Sequence, residues 1–501
     1  SGGVFVNEID TTTVNGVGLN TVNAVSGNIE IVSARAITDA GNDAAINVTG
    51  ADAVLTATAG AIGVSGTGGQ LETDLTSVTA TASGAGGGVF LNELDTVGTN
   101  GISIKTVNAG AGNAEIVSAR AILDFAGDGA NNVTAADLVL TATTGAIGVS
   151  GTAGQLETSV TSLTATAFGA GGGVFVNELA AGVAVKTIDA GTGNAELIAA
   201  GAITDFANDA LINVTAADLT ITASAGAIGA TGTNGQLETA LTSLTATASG
   251  AGGGVFINEI TGGVAIKTVN AGAGNAEIVA SGSITDFSND ALLNVTAADL
   301  ILTATAGAIG AAGSGGRLET DLTSLTATAS GAGGGVFIAE ITGGVAVKTI
   351  DAGTGNAELV SAAAITDFGN DALINITAAD LILTATAGAI GITGTNGQLE
   401  TALTSLTATA SGAGGGVFIN EITGGVAIKT VDAGAGNAEL ISAGAITDFA
   451  NDALINITAA DLIVTATAGA IGATGTNGQL ETALTSLTAT ASGAGGGVFI
   501  N

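Results

Sequence analysis

The chain is 501 residues long, with 82 Gly, 46% apolar residues, 10% charged residues and a formal net charge of −35. That much apolar content excludes simple disorder, and the negative charge repels nucleic acid and anionic membrane surfaces at long range. With no His, Cys, Tyr, Trp or Met, the chain lacks the commonest general base at neutral pH, the thiol nucleophile and most soft metal ligands, so it is not expected to be an enzyme.

The first element is the phrase "GGVFVNEI", and its Phe recurs as Phe5, Phe90, Phe175, Phe256, Phe337, Phe418 and Phe499, at spacings of 85, 85, 81, 81, 81 and 81. This is a tandem array, which overrides any domain count taken from length. Its units are 4–88, 89–173, 174–254, 255–335, 336–416 and 417–497, with a seventh opening at 498–501. We read 1–501 as one continuous array. The glycines of the phrase permit a tight corner, and its Val, Phe and Ile are expected to contact the core. The Asn and Glu mark the next turn.

After the phrase, "NELDTVGTNGISIKTV" (92–107) stands against "NEITGGVAIKTV" (258–269), so the four extra residues of the first two units fall in a loop. The lysines Lys105, Lys186, Lys267, Lys348 and Lys429 share one position of the unit and are expected to pair with carboxylates on a neighbouring coil. Then come "AEIVASGSITD" (276–286), "DLILTATAGAIG" (299–310) and "TSLTATASGAGGGVFI" (323–338), each an alternating strand, a Gly-containing corner and a second short strand. Where "DLILTAT" becomes "DLTITAS" (218–224), Leu219, Ile221 and Ala223 keep one face, which points inward, and Thr220, Thr222 and Ser224 the other. In "QLETALTSLTATAS" (236–249), Leu237, Leu241 and Leu244 stand at helical spacing. Thr favours strands and the second half alternates strictly, so strand is the better reading.

Short strands with Gly corners and no Pro stack coil on coil as a parallel β-helix, each strand pairing with its equivalents above and below. Aligning the apolar runs gives about three coils of ~27 residues per repeat, with four of ~20 as the alternative. At the strand spacing, ~18 coils make a rod of the order of 90 Å.

The stretches "ADLILTATAGAIGATGT", "QLETALTSLTATASGAGGGVFINE" and "GNAELISAGAITDF" resemble the repeats of large filamentous-haemagglutinin-like secreted bacterial adhesins, and the resemblance covers the whole chain. It implies an all-β, right-handed parallel β-helix (β-solenoid), export across the envelope, and a bacterial cell-surface or extracellular role in adhesion or structure. The chain begins without Met or a signal segment and is cut at both ends within one phrase, so it is expected to be a piece of a longer protein. No run approaches 18 uninterrupted apolar residues, so no membrane-spanning segment is expected.

The remaining chemistry lies in acids, asparagines and hydroxyls. The pairs Asp205/Asp209, Asp286/Asp290, Asp367/Asp371 and Asp448/Asp452 recur with Asp39/Asp43 and Asp124/Asp128. Such a pair is thinkable as a carboxylate catalyst in a carbohydrate-active β-helix enzyme. Sites occur once per protein, however, and a polar turn explains the recurrence better. The first eight aspartates, with the Asp of "TAAD" and the Glu of "LET", are candidate calcium ligands. A calcium-binding surface rod is therefore the alternative function. Solvated carboxylates that keep rods apart are the simpler reading.

Sequons at Asn47, Asn132, Asn213, Asn294, Asn375 and Asn456 are candidate glycosylation sites, or turn asparagines before a strand. Thr303/Thr305 and Thr326/Thr328 space hydroxyls as in ice-binding solenoids, or as in any threonine-rich strand. The leading expectation is an acidic repeat rod, a structural extracellular fibre or adhesin stalk. It needs no cofactor, and its partners are other rods, cell-surface glycans or other cells.

Overall fold

The computed structural model describes all residues except 1, 13–15, 96–99, 170, 251, 332, 395, 413 and 476. Residues 96–99, where the extra loop was expected in the second repeat, therefore lie outside the described residues. The chain divides into two compact units, Ser1–Ile257 and Asn258–Asn501, and the division falls inside the opening phrase of the fourth repeat. Among the described residues there is no helix, and each unit is a parallel β-solenoid.

In the first unit the inward residues form a column that can be followed coil by coil. Val89 pairs with Ala114, Ala114 with Leu138, Leu138 with Leu163 and Leu163 with Val185. On that last strand Val183 pairs with Ile203, then Ile203 with Ile228 and Ile228 with Val255. These seven steps of 20–27 residues carry the chain from Val89 to its equivalent Val255, two repeats on. In the second unit the same seven steps run from Ile284 through Ile309, Val336, Ala357, Leu381, Leu406 and Ile428, then from Val426 to Ile446.

Seven coils per two repeats is a count between the two alternatives read from sequence, and it has a geometric consequence. One repeat covers three and a half coils, so it ends half a circuit round from where it began. A second column threads Ile122, Ile147, Val174, Ala195, Leu219 and Leu244. Val174 therefore occupies the other column from Val89 and Val255. Equivalent residues in successive repeats alternate between the two columns.

The strands follow the period-two pattern that places apolar residues inside. Leu219, Ile221 and Ala223 are fully buried in Val214–Ala223, while Thr220 and Thr222 face outward and are half-buried. Leu237–Ala248 is one twelve-residue strand, as its threonines indicated. Inside it Leu244, Ala246 and Ala248 continue the inward ladder set by Leu219, Ile221 and Ala223.

The opening phrase departs from expectation at its Phe. In Val174–Glu178 the inward positions are Val174 and Val176, and Phe175 lies half-buried on the outer face. Its ring folds over Gly173, where an added Cβ would stand 2.5 Å from a ring carbon. One coil on, a Cβ on Gly193 would stand 1.4 Å from the carbonyl oxygen of Gly172. Glycine is required at Gly193, where backbone occupies the space of a side chain, whereas at Gly173 a side chain would first have to displace the Phe175 ring.

Candidate functional site

The paired aspartates and the sequon asparagine singled out in the sequence gather at one corner of each repeat, between the short strand ending in "ITD" and the strand that follows the sequon. In the third repeat Ile203–Asp205 ends in Asp205, which is buried. Its Oδ1 accepts from Ala207 N (3.2 Å) and from Asn213 Nδ2 (2.8 Å), and its Oδ2 accepts from Asp209 N (2.8 Å). Asp209 Oδ1 in turn accepts from Leu211 N at 2.7 Å. Between them Asn208 takes a left-handed φ of 50°, a conformation Asn tolerates better than most residues.

The same pattern holds Asp290 N to Asp286 Oδ2 (2.8 Å), Asp371 N to Asp367 Oδ2 (2.9 Å) and Asp452 N to Asp448 Oδ2 (2.9 Å). These carboxylates accept hydrogen bonds from their own turn. Among the described residues no three acidic side chains form a group with metal-like spacing. The Asp of "TAAD" lies elsewhere: Asp137 accepts from Ser162 Oγ at 2.7 Å and from Lys186 Nζ at 2.7 Å.

The sequon asparagines are the innermost members of the corner. Asn213 is 3% exposed, and its Nδ2 donates to Asp205 Oδ1 and to Val185 O on the preceding coil. Its Oδ1 accepts from Glu238 N (2.9 Å) on the following coil. Asn47, Asn132, Asn294, Asn375 and Asn456 are buried in the same way. Each ties three successive coils, and the amide nitrogen that a glycan would occupy is closed off in the folded coil.

Two classes of glutamate are buried as well. The Glu of the opening phrase turns back onto the preceding strand. Glu178 accepts from Thr158 Oγ1 (2.9 Å), Val160 N (2.9 Å) and Ala180 N (3.1 Å). Glu93, in the equivalent position, is fully buried, and that burial pushes its pKa up to about 7 against the lowering effect of its Thr73 and backbone hydrogen bonds. The Glu of "LET" lies behind the corner loop. Burial first, then the nearby Asp286 and Asp367, push Glu319 and Glu400 up to about 7. Burial and Asp124 raise Glu157.

The lysines were expected to meet a carboxylate on a neighbouring coil; the structure places that carboxylate two coils back, because Asp137 pairs with Ser162 and Ser162 with Ala184 on the strand of Lys186, and it adds a ring. Lys186 Nζ stands 2.7 Å from Asp137 Oδ2 and 4.5 Å from the centroid of Phe206. Lys105, Lys348 and Lys429 repeat the arrangement with Asp52 and Phe125, Asp299 and Phe368, and Asp380 and Phe449. The recurrence of Lys and Phe twenty residues apart was the available signal. The threonine ladder is short: Thr303 pairs with Thr328, but their next neighbours in register are Val279 and Asp351. Thr305 donates to Ser281 O at 3.1 Å.

The glutamates set an expected pH dependence. A carboxyl whose folded pKa is raised binds more protons folded than unfolded between about pH 4.5 and about 7. Its contribution to stability is complete below the unfolded value and is lost as pH rises through the folded one. Glu93, Glu319 and Glu400 act in this direction. Asp39, held low by hydrogen bonds from Gly41, Asn47 and Asp43 despite burial, acts oppositely and only at lower pH. The melting temperature is therefore expected to fall between about pH 5 and about pH 7.5 and to level off above. A calorimetric series in which it rises across that window would contradict the assignment.

No family model, no curated protein and no solved structure matches the chain.

Proposed function

We propose that this protein is a structural segment of an extracellular fibre or adhesin stalk, in which each β-solenoid unit acts as a stiff, acidic spacer. The observation that supports this most is the use made of the recurrent polar residues. Aspartates, asparagines and glutamates, which in an enzyme would be reserved for substrate, accept and donate hydrogen bonds within and between coils of their own chain, once per repeat. Proteins built this way lengthen by adding units, because each coil contacts only coils close to it in the stack. The resemblance to large secreted bacterial adhesins agrees with a bacterial cell-surface or extracellular location. The partners on this reading are a second copy of the chain and cell-surface glycans.

A spacer must bear tension, and that is testable by pulling the chain from its two ends with an atomic force microscope. Coil-by-coil release is expected, with each ~23-residue coil adding about 80 Å of contour length, taken at ~3.5 Å per extended residue. Smooth extension at low force without steps would count against a mechanical role.

A further inference from the structure

In the first unit two concavities of about 350 and about 430 Å³ meet at Thr76, Asn100 and Gly101 and form one open furrow. It crosses the strands instead of following them. Val25, Thr49, Asp74, Gly101, Ala121 and Gly145 line it from six successive coils, as the pairings of Asn23 with Thr49, Thr49 with Asp74, Ser77 with Ser103, Ser103 with Leu123 and Ile122 with Ile147 show. Five strand spacings give it a length of ~24 Å.

The shape belongs to the fold, but the lining is particular to this stretch. A furrow of about 510 Å³ recurs at the equivalent place in the sixth repeat, where Ala435 and Ala483 stand for Ser26 and Asp74. Across the second half, Asn100, Ser103, Arg120 and Thr144 become Ala181, Ala184, Gly201 and Ala225 one repeat on, and every later repeat keeps Ala or Gly at all four positions. A spacer needs the same corner in each unit. Polar side chains added to the wall of one open furrow, and dropped from its copies, point to a ligand.

The chemistry of the wall narrows the class. Arg120 is held through its Nε by Asp95, which fixes the guanidinium and leaves its terminal nitrogens as donors. Among the described residues the hydroxyls of Thr76 and Ser103 have no hydrogen-bond partner. Asp74 adds an acceptor, and Leu75 and Leu123 add apolar surface. Mixed donors and acceptors around apolar patches match the hydroxyl edges and C–H faces of sugar rings. We propose that this furrow binds a short, neutral oligosaccharide, an inference that rests on the reading of the chain as a stalk with glycan partners and gives that contact a place.

Two other ligand classes fit less well. An anionic glycan meets a chain of net charge −35, the carboxylate of Asp74, and an Arg120 already paired with Asp95. An extended peptide binds by adding a strand to an open edge, whereas the strands crossed here already pair with the coils on either side.

Titration of the whole chain by saturation-transfer NMR, with short neutral oligosaccharides of the chitin, cellulose, mannan and galactan series, tests the furrow. At least one series should bind, with an affinity that added salt leaves unchanged. Ser103→Ala combined with Thr144→Ala sets at both positions the residues that the third repeat carries, Ala184 and Ala225, so the coil keeps a form the chain already folds. This double variant should bind about tenfold more weakly or worse, for two lost hydrogen bonds. Thr485→Ala, in the furrow of the sixth repeat, should bind as the unmodified chain does. Binding by none of the four series, an unchanged affinity in the double variant, or binding confined to a heparin fragment or to an unstructured peptide would overturn the proposal. Each of those results leaves the pulling experiment, and the spacer reading it tests, unaffected.

Discussion

Deleting residues 336–416, one whole repeat, is expected to leave the melting temperature within about 2 °C of the intact chain. Deleting 357–380, a single coil, is expected to cost about 3 kcal/mol or more. The repeat deletion joins Gly335 to Val417, so Ile309 meets Val417 where it had met Val336, and Ile390 already makes that same pairing with Val417. Every later coil finds a neighbour of the kind it had before, although all that follows is turned half a circuit. The one-coil deletion removes far fewer residues and does more harm. It takes out Asn375, leaving the buried Glu400 N–H without its acceptor, and Asp380, the partner of Lys429. It also takes Phe368 from Lys348. Thermal melts that rank the two deletions the other way would contradict the coil assignment.

Asn375→Ala is expected to destabilise the second unit by about 3 kcal/mol. The side chain is 3% exposed, donates to Asp367 Oδ1 (2.8 Å) and Val347 O (3.3 Å), and accepts from Glu400 N (2.9 Å). Alanine leaves the Glu400 N–H buried without its acceptor and takes one of two donors from Asp367 Oδ1 and from Val347 O, which keep Gly369 N and Phe368 N. Asn375→Asp should also destabilise at neutral pH, because it sets a carboxylate beside Asp367, and should recover as pH falls. Thr377→Ala separates this role from glycosylation. It destroys the sequon but not the hydrogen bonds of Asn375, and is expected to cost under about 1 kcal/mol. Denaturant melts of the three variants give the comparison; equal losses in Asn375→Ala and Thr377→Ala would contradict the role assigned to the amide.

Much of the architecture was legible because strand alternation and corner glycines are local properties. The substitution of "DLTITAS" for "DLILTAT" was enough to show which face of Val214–Ala223 is buried. The coil count was harder to read. A repeat of 81 residues is not a whole number of coils, so aligning apolar runs within one repeat cannot return three and a half. The corner chemistry was half legible. Asp205, Asp209 and Asn213 read correctly as turn residues, but nothing local shows that Asn213 reaches the coils on either side. Glu178 read only as marking the next turn and Glu238 as a calcium ligand or a solvated carboxylate, and burial was not expected of either, since acids are rarely buried. The stacking of coils puts Glu178 opposite Thr158 and Val160 and Glu238 behind the corner loop. Phe175 was read as core by its type, whereas its place in the alternation, between Val174 and Val176, sets it outside.

The central claim is the register of the coils, and an engineered disulfide tests it directly because the chain has no cysteine of its own. Thr384 and Thr409 are half-buried on the outer face and stand opposite each other in adjacent parallel strands, close enough for a bridge. A protein carrying Thr384→Cys and Thr409→Cys should form an intramolecular disulfide on mild oxidation. One carrying Thr384→Cys and Ser411→Cys, the spacing a uniform 27-residue coil would demand, should not. A bridge in the second protein and none in the first would contradict the fold as described.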